Sequence, residues 1–138
     1  MCFPSIAAAQ TATTFDPNAG NITLTSHFDF VNAYMFRGLR QDDTRLIMWP
    51  SADAGIRLHT GSGTLKRADL HVGSWNSLHT GLAGSSGPTG RLWYESDFYS
   101  TLALEVGDGV TVGTTYTAYT SPNSSFSAVK ELSFGVGT

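Results

Sequence analysis

From Asn21 onward apolar and polar side chains alternate with period two between clusters of turn residues, while apolar positions at three- and four-residue spacing are scarce. A chain patterned in this way is expected to be all-β. Six segments carry the alternation, over roughly 21–38, 46–59, 66–79, 91–106, 110–120 and 125–138. Each is long for a soluble strand, whose usual length is about 5 to 6 residues. Each suits the roughly 9 to 11 residues with which a tilted strand crosses a bilayer. In the fourth segment Leu92, Tyr94, Phe98, Leu102, Leu104 and Val106 share one parity, and Trp93, Glu95, Asp97, Tyr99, Thr101 and Glu105 share the other. The earlier segments repeat the division, with Ile22, Leu24, Phe28 and Phe30 set against His27 and Asp29, Ala54 and Ile56 against Asp53 and Arg57, and Leu70 and Val72 against Asp69 and His71.

The connections alternate in length. Thr60-Gly61-Ser62-Gly63-Thr64 and Gly107-Asp108-Gly109 are tight glycine turns, whereas 39–45, 80–90 and 121–124 are longer. In an antiparallel up-and-down meander that order gathers the short turns at one end of the sheet and the long loops at the other. Outer-membrane barrels have this asymmetry, with short periplasmic turns and longer extracellular loops.

Alternation alone does not say which face meets water. In a soluble sandwich the apolar face is the core, and in a membrane barrel it meets lipid while the polar face lines the lumen. The charged parity also holds Trp49, Trp75, Trp93, Tyr99 and Tyr119, rings that are wasted on a solvated face but fill a narrow lumen. Lys and Arg together number 8, and only 14% of residues are charged, against about 25% in a typical soluble domain. These features favour part or whole of an outer-membrane-type β-barrel.

An acidic balance, with formal net charge -3 and no Lys/Arg cluster, leaves no footprint for nucleic acid. One cysteine, Cys2, forms no internal disulfide, and no Cys/His spacing suggests zinc. His27, His59, His71 and His79 lack ligand spacing and read as polar lumen or surface residues. Gly84-Ser85-Ser86-Gly87-Pro88 lacks the spacing and lysine of a phosphate-binding loop. Glu95 and Asp97 lie two apart on one face, about 7 Å by strand rise, and read as lumen acids rather than a catalytic pair. The expectation is a non-enzyme with no cofactor and no metal.

Residues 1–20 read as the remnant of a signal peptide, ending in the small-residue pattern Ala7-Ala8-Ala9, followed by a linker. Residues 21–138 then form one six-stranded meander.

Three stretches resemble the TorF-type porins of the proteobacterial outer membrane: Asn21-Ile-Thr-Leu-Thr-Ser-His-Phe-Asp-Phe, the run from Ala33 to Gln41 that contains Phe36-Arg37-Gly38, and Tyr94-Glu95-Ser96-Asp97-Phe98-Tyr99 with Thr115 to Pro122 beyond its glycine turn. The resemblance implies a single barrel of more than six strands behind a signal peptide, of which this chain would be the N-terminal portion. Trp49-Pro50 stands where the family tends to have a glycine-rich strand, so Pro50 is expected to mark a strand end or a bulge. The chain also stops at Thr138 without the terminal aromatic residue typical of exported barrels.

The expected work is passive diffusion of small hydrophilic solutes through the outer membrane, the partners being lipid outside and polar solutes inside. Six strands are too few to close a bacterial barrel, so further strands, or copies associating as a homo-oligomer, would complete it. The residues expected to line or constrict the lumen are Arg37, Trp49, Asp53, Asp69, His71, Trp75, Trp93, Glu95 and Asp97. Trp49, Trp75, Trp93 and Arg37 would gather near the long-loop mouth, with Arg37 facing Asp53, Asp69, Glu95 and Asp97 to set a transverse field. Lys130, on the apolar parity, would need an interfacial position. The alternative is a secreted or periplasmic soluble β-sheet module that binds a ligand or glycan on its aromatic face.

Overall fold

The computed structural model of the protein describes residues 20–81, 83, 92–107 and 109–138. The expected leader and linker, up to residue 19, lie outside the described residues, as does most of the loop over 80–90.

The period-two segments form one antiparallel sheet. Its strands are β1 (Ile22–Val31), β4 (Ile47–Thr60), β5 (Leu65–His79), β6 (Trp93–Val106), β7 (Val110–Thr120) and β8 (Val129–Gly137), each hydrogen-bonded to the next in that order. The sheet is an up-and-down meander interrupted once, between β1 and β4, where β2 (Tyr34–Phe36) and β3 (Leu39–Asp42) make a separate two-stranded sheet. Among the described residues β1 and β8 are each paired along one side only.

The first segment therefore departs from the single strand expected over 21–38. Strand β1 ends at Val31, and the chain turns back through a hairpin whose two-residue loop is Arg37-Gly38. Both residues have positive φ, 50° and 81°. That is the twist of a type I′ turn, which fits right-handed strands and favours glycine at its second position. The second segment departs in the opposite sense. Pro50 neither ends β4 nor shifts its register, because Met48 pairs with Leu78 and Ser51 with Trp75 on either side of it. Its carbonyl oxygen accepts from Asn76 Nδ2 at 3.4 Å, so the missing N–H interrupts the ladder to β5 without bending the pairing.

Connections 61–64 and 107–109 lie at one end of the sheet, and the hairpin segment, 80–92 and 121–128 lie at the other. Gly107 and Gly109 adopt positive φ, 58° and 95°, and Gly107 N donates to Thr64 O at 2.8 Å, tying the two tight turns together.

The two faces of this sheet differ in a way opposite to a soluble sheet. Leu24, Phe28, Phe30, Val72, Phe98, Leu102, Leu132, Phe134 and Val136 are exposed, Phe134 at 74%. Asp42, Asp69, Ser77, His79, Glu95 and Asp97 are buried, and the only buried apolar side chains among the described residues are Tyr34, Ile47 and Ala68. The face carrying the acids and the indoles of Trp49 and Trp75 is the one that the β2–β3 hairpin covers. Oily side chains make up the bare face. A normal hydrophobic core is thus replaced by a polar and aromatic one, which is stable only if its polar atoms find partners.

Candidate functional site

The covered face is organised in three levels along the strands. At the tight-turn end Asp69 accepts from Arg57 Nε at 3.1 Å and from Arg67 Nε at 2.5 Å, with Glu105 beside Arg67 at 3.8 Å. At mid-height Asp53 holds His71 Nδ1 at 2.8 Å through one oxygen and accepts the Tyr99 hydroxyl at 2.9 Å through the other. Space for the tyrosine ring comes from Gly73, since a Cβ there would collide with the ring and lie 2.7 Å from the Ala52 carbonyl oxygen.

The third level, at the long-loop end, is the most enclosed. Tyr34 of the hairpin packs on Trp49 and Trp75, with ring centroids 5.8 Å away in each case, and the two indoles lie 5.5 Å apart. Its hydroxyl donates to Glu95 Oε2 at 2.7 Å. Burial, and then the Glu95 carboxylate, push this phenol well above its ordinary range. Below it a chain of hydrogen bonds runs Trp49 Nε1 to Ser77 Oγ at 2.9 Å, Ser77 Oγ to His79 Nε2 at 2.7 Å, and His79 Nδ1 to Asp42 Oδ2 at 2.7 Å. Asp42 Oδ1 also accepts from the backbone and hydroxyl of Thr44. Burial alone would raise the Asp42 carboxyl, but the bonds from His79 and Thr44 outweigh it and hold the group below the usual carboxylate range.

Serine, histidine and aspartate stand here in the order nucleophile, base and orienter. The geometry nevertheless serves as a clamp. Ser77 and His79 are fully buried, Ser77 Oγ already accepts the indole N–H, and neither residue lines a described cavity. Sequence reading missed this group because Asp42 and His79 are 37 residues apart. The signal that was present is Ser77-x-His79, two polar residues of one parity at a strand end.

Beside the clamp lies a cavity of about 270 Å³ between the hairpin and β6, β7 and β8. Its aromatic wall is Tyr34, Phe36, Tyr94, Tyr119 and Phe126, and its charged groups are Arg37, Glu95 and Glu131. Phe126 is placed by a loop that Asn123 ties down, accepting from Ser121 Oγ at 2.9 Å and donating to Ala83 O at 3.0 Å.

Of the residues expected to form a constriction, the fold brings Trp49, Trp75, Glu95 and Asp97 to the long-loop end of the covered face, and places Asp53 and His71 at mid-height. Two placements need correction. Trp93 is on the bare face, where its Nε1 donates to Asn76 Oδ1 at 3.1 Å beside Ser96. The cause is a bulge at Tyr94: Ser77 pairs with Glu95 but Leu78 pairs with Trp93. The extra residue turns Tyr94 toward His79, 4.5 Å between centroids, and sends Trp93 outward. Arg37 does not face the four acids together. It sits at the hairpin tip, paired with Glu131 of β8 and 5.1 Å over the Phe36 ring, while Asp69 is matched by its own arginines at the far end. Of those four acids, only Glu95 shares its cavity.

No protein-family profile, curated protein or solved structure matches the chain.

Proposed function

We propose that this chain is part of the wall of an outer-membrane β-barrel of porin type, through which small hydrophilic solutes diffuse. The observation that carries the reading is the inversion of the two faces: Phe98 is 57% exposed on the bare face, while Asp97 beside it is 8% exposed on the covered one. Water disfavours such an arrangement, and a lipid exterior with a polar interior favours it. In this reading β1 and β4–β8 cross the bilayer, and β2–β3 folds into the mouth at the long-loop end and narrows it.

Three further features support it. Trp93, on the bare face near the long loops, stands where barrel proteins carry an aromatic girdle. Lys130 is the second residue of β8, at that same end, where a lipid-facing cation costs about 0 to 1 kcal/mol. The half-paired strands β1 and β8 offer edges for further strands or a second copy, since unpaired backbone is not tolerated in hydrocarbon. The segments that resemble TorF-type porins point the same way. The Ser77–His79–Asp42 clamp then holds the hairpin in place and does no chemistry.

The test is to refold the protein in detergent, measure heat-modifiable mobility in SDS gels, and record planar-bilayer conductance. Step-like currents are expected. A folded sample that never passes current overturns the pore.

A further inference from the structure

The cavity beside the hairpin is short of positive charge. Glu95 on its wall is 5% exposed, and Asp97, two residues along the same face of β6, is 8% exposed. Among the described residues no lysine, arginine or histidine pairs with either, and Asp97 Oδ1 is buried with no hydrogen-bond partner. Tyr34 satisfies one oxygen of Glu95 but brings no charge. A carboxylate enclosed in this way either holds a proton or takes a cation, and Glu95 is the one of the two that lines the cavity.

The type of cation follows from the wall. Five aromatic rings face the space, and a ring face attracts a weakly hydrated cation. The protein already builds one such contact at the rim, where the Arg37 guanidinium lies over Phe36 and is held by Glu131. A hard metal ion is a poor fit, because it seeks about six or more oxygens, and no group of three acidic, histidine or cysteine side chains is gathered among the described residues. A sugar fits less well, because the surface of the wall is mainly ring and carbon.

We infer that this cavity is a binding site for a small organic cation, an amine or quaternary ammonium on a compact apolar body, with its charge set against Glu95 and its carbon surface against Tyr94, Tyr119 and Phe126. About 270 Å³ suits a molecule of that class and little larger. The inference holds whether the sheet completes a pore or a ligand-binding module, and its test does not depend on conductance.

The experiment is isothermal titration of the full chain, refolded in detergent, with choline, its uncharged isostere dimethylbutanol, glucose and magnesium ion. Choline is expected to bind saturably, and the isostere at least about tenfold more weakly, the fold-change that follows from losing a charge-assisted contact. Glu95→Gln, which still accepts from Tyr34, should weaken choline by about tenfold or more with an unchanged far-UV spectrum. Tyr119→Leu, which leaves Glu95 in place, should weaken it too. Equal binding of the isostere, saturation by glucose or magnesium alone, or no saturable heat with choline overturns the site.

Discussion

Asp42 of β3 accepts a 2.7 Å hydrogen bond from Nδ1 of His79, the last residue of β5. Both residues are buried, and the bond joins the small hairpin to the large sheet. Tyr34 adds the second attachment through Glu95, and the Arg37–Glu131 pair a third on β8. The hairpin thus lies across the covered face from β4, whose Trp49 ring packs on Tyr34, to β8, with polar anchors on β5, β6 and β8.

The first anchor depends on pH. Asp42 is held below its usual range in the folded protein. Its contribution to stability is therefore fully present above the ordinary carboxylate pKa and is lost as pH falls through the depressed folded value. Acidification through that window should release the hairpin and change the emission of Trp49 and Trp75, which Tyr34 covers. Asp42→Asn should weaken the folded state by about 1 to 3 kcal/mol at neutral pH and flatten the acid transition. A transition of undiminished size in that variant would assign it to another group.

Clamp and catalytic triad make different predictions for Ser77. A clamp residue whose loss leaves Trp49 Nε1 and His79 Nε2 without their partner should cost about 1 to 3 kcal/mol on Ser77→Ala. Hydrolysis of short-chain nitrophenyl esters should be absent before and after the change. Ester turnover in the parent protein that vanishes in the variant would make Ser77 a nucleophile.

Gly73 is required by a neighbour rather than by its own backbone. Gly73→Ala would push a methyl group into the Tyr99 ring and toward the Ala52 carbonyl. The expected loss is about 1 to 3 kcal/mol by urea unfolding, the usual cost of overpacking. Adding Tyr99→Ala should recover part of that loss and not all of it, because the carbonyl contact at 2.7 Å remains. Fully additive losses in the double variant would show that the ring does not set the requirement.

Strand positions and facing were readable because alternation over ten or more residues leaves little freedom. The chain is all-β, and β4 to β7 fall within two residues of the segments the pattern marks. Strands of three and four residues carry too little periodicity to detect, so the pattern runs the first segment through β2 and reads β3 as part of the connection over 39–45. Its one local sign was glycine after Arg37, flanked by Tyr34-Met35-Phe36 and Leu39. Trp93 was misplaced because a bulge reverses parity and leaves no mark in composition. The clamp was hidden for a different reason: two of its members share a strand, while Asp42 reaches them only after the hairpin folds over. Trp49 and Trp75, across one tight turn, needed nothing beyond the register.

A lipid-facing surface and a solvated one respond in opposite ways to a charge at Phe98. This residue lies well inside β6, opposite Ser74 and Ala118, and is 57% exposed. Facing hydrocarbon near the bilayer middle, Phe98→Arg should cost about 2 to 4 kcal/mol in reversible urea unfolding from phospholipid vesicles. Lys130, near the strand end, supplies the control: Lys130→Ala should change stability by no more than about 1 kcal/mol. On a surface meeting water the arginine would be tolerated and would raise solubility without detergent. A Phe98→Arg protein that unfolds at the parent's urea concentration and stays monomeric in plain buffer would remove lipid from the bare face, and the pore with it.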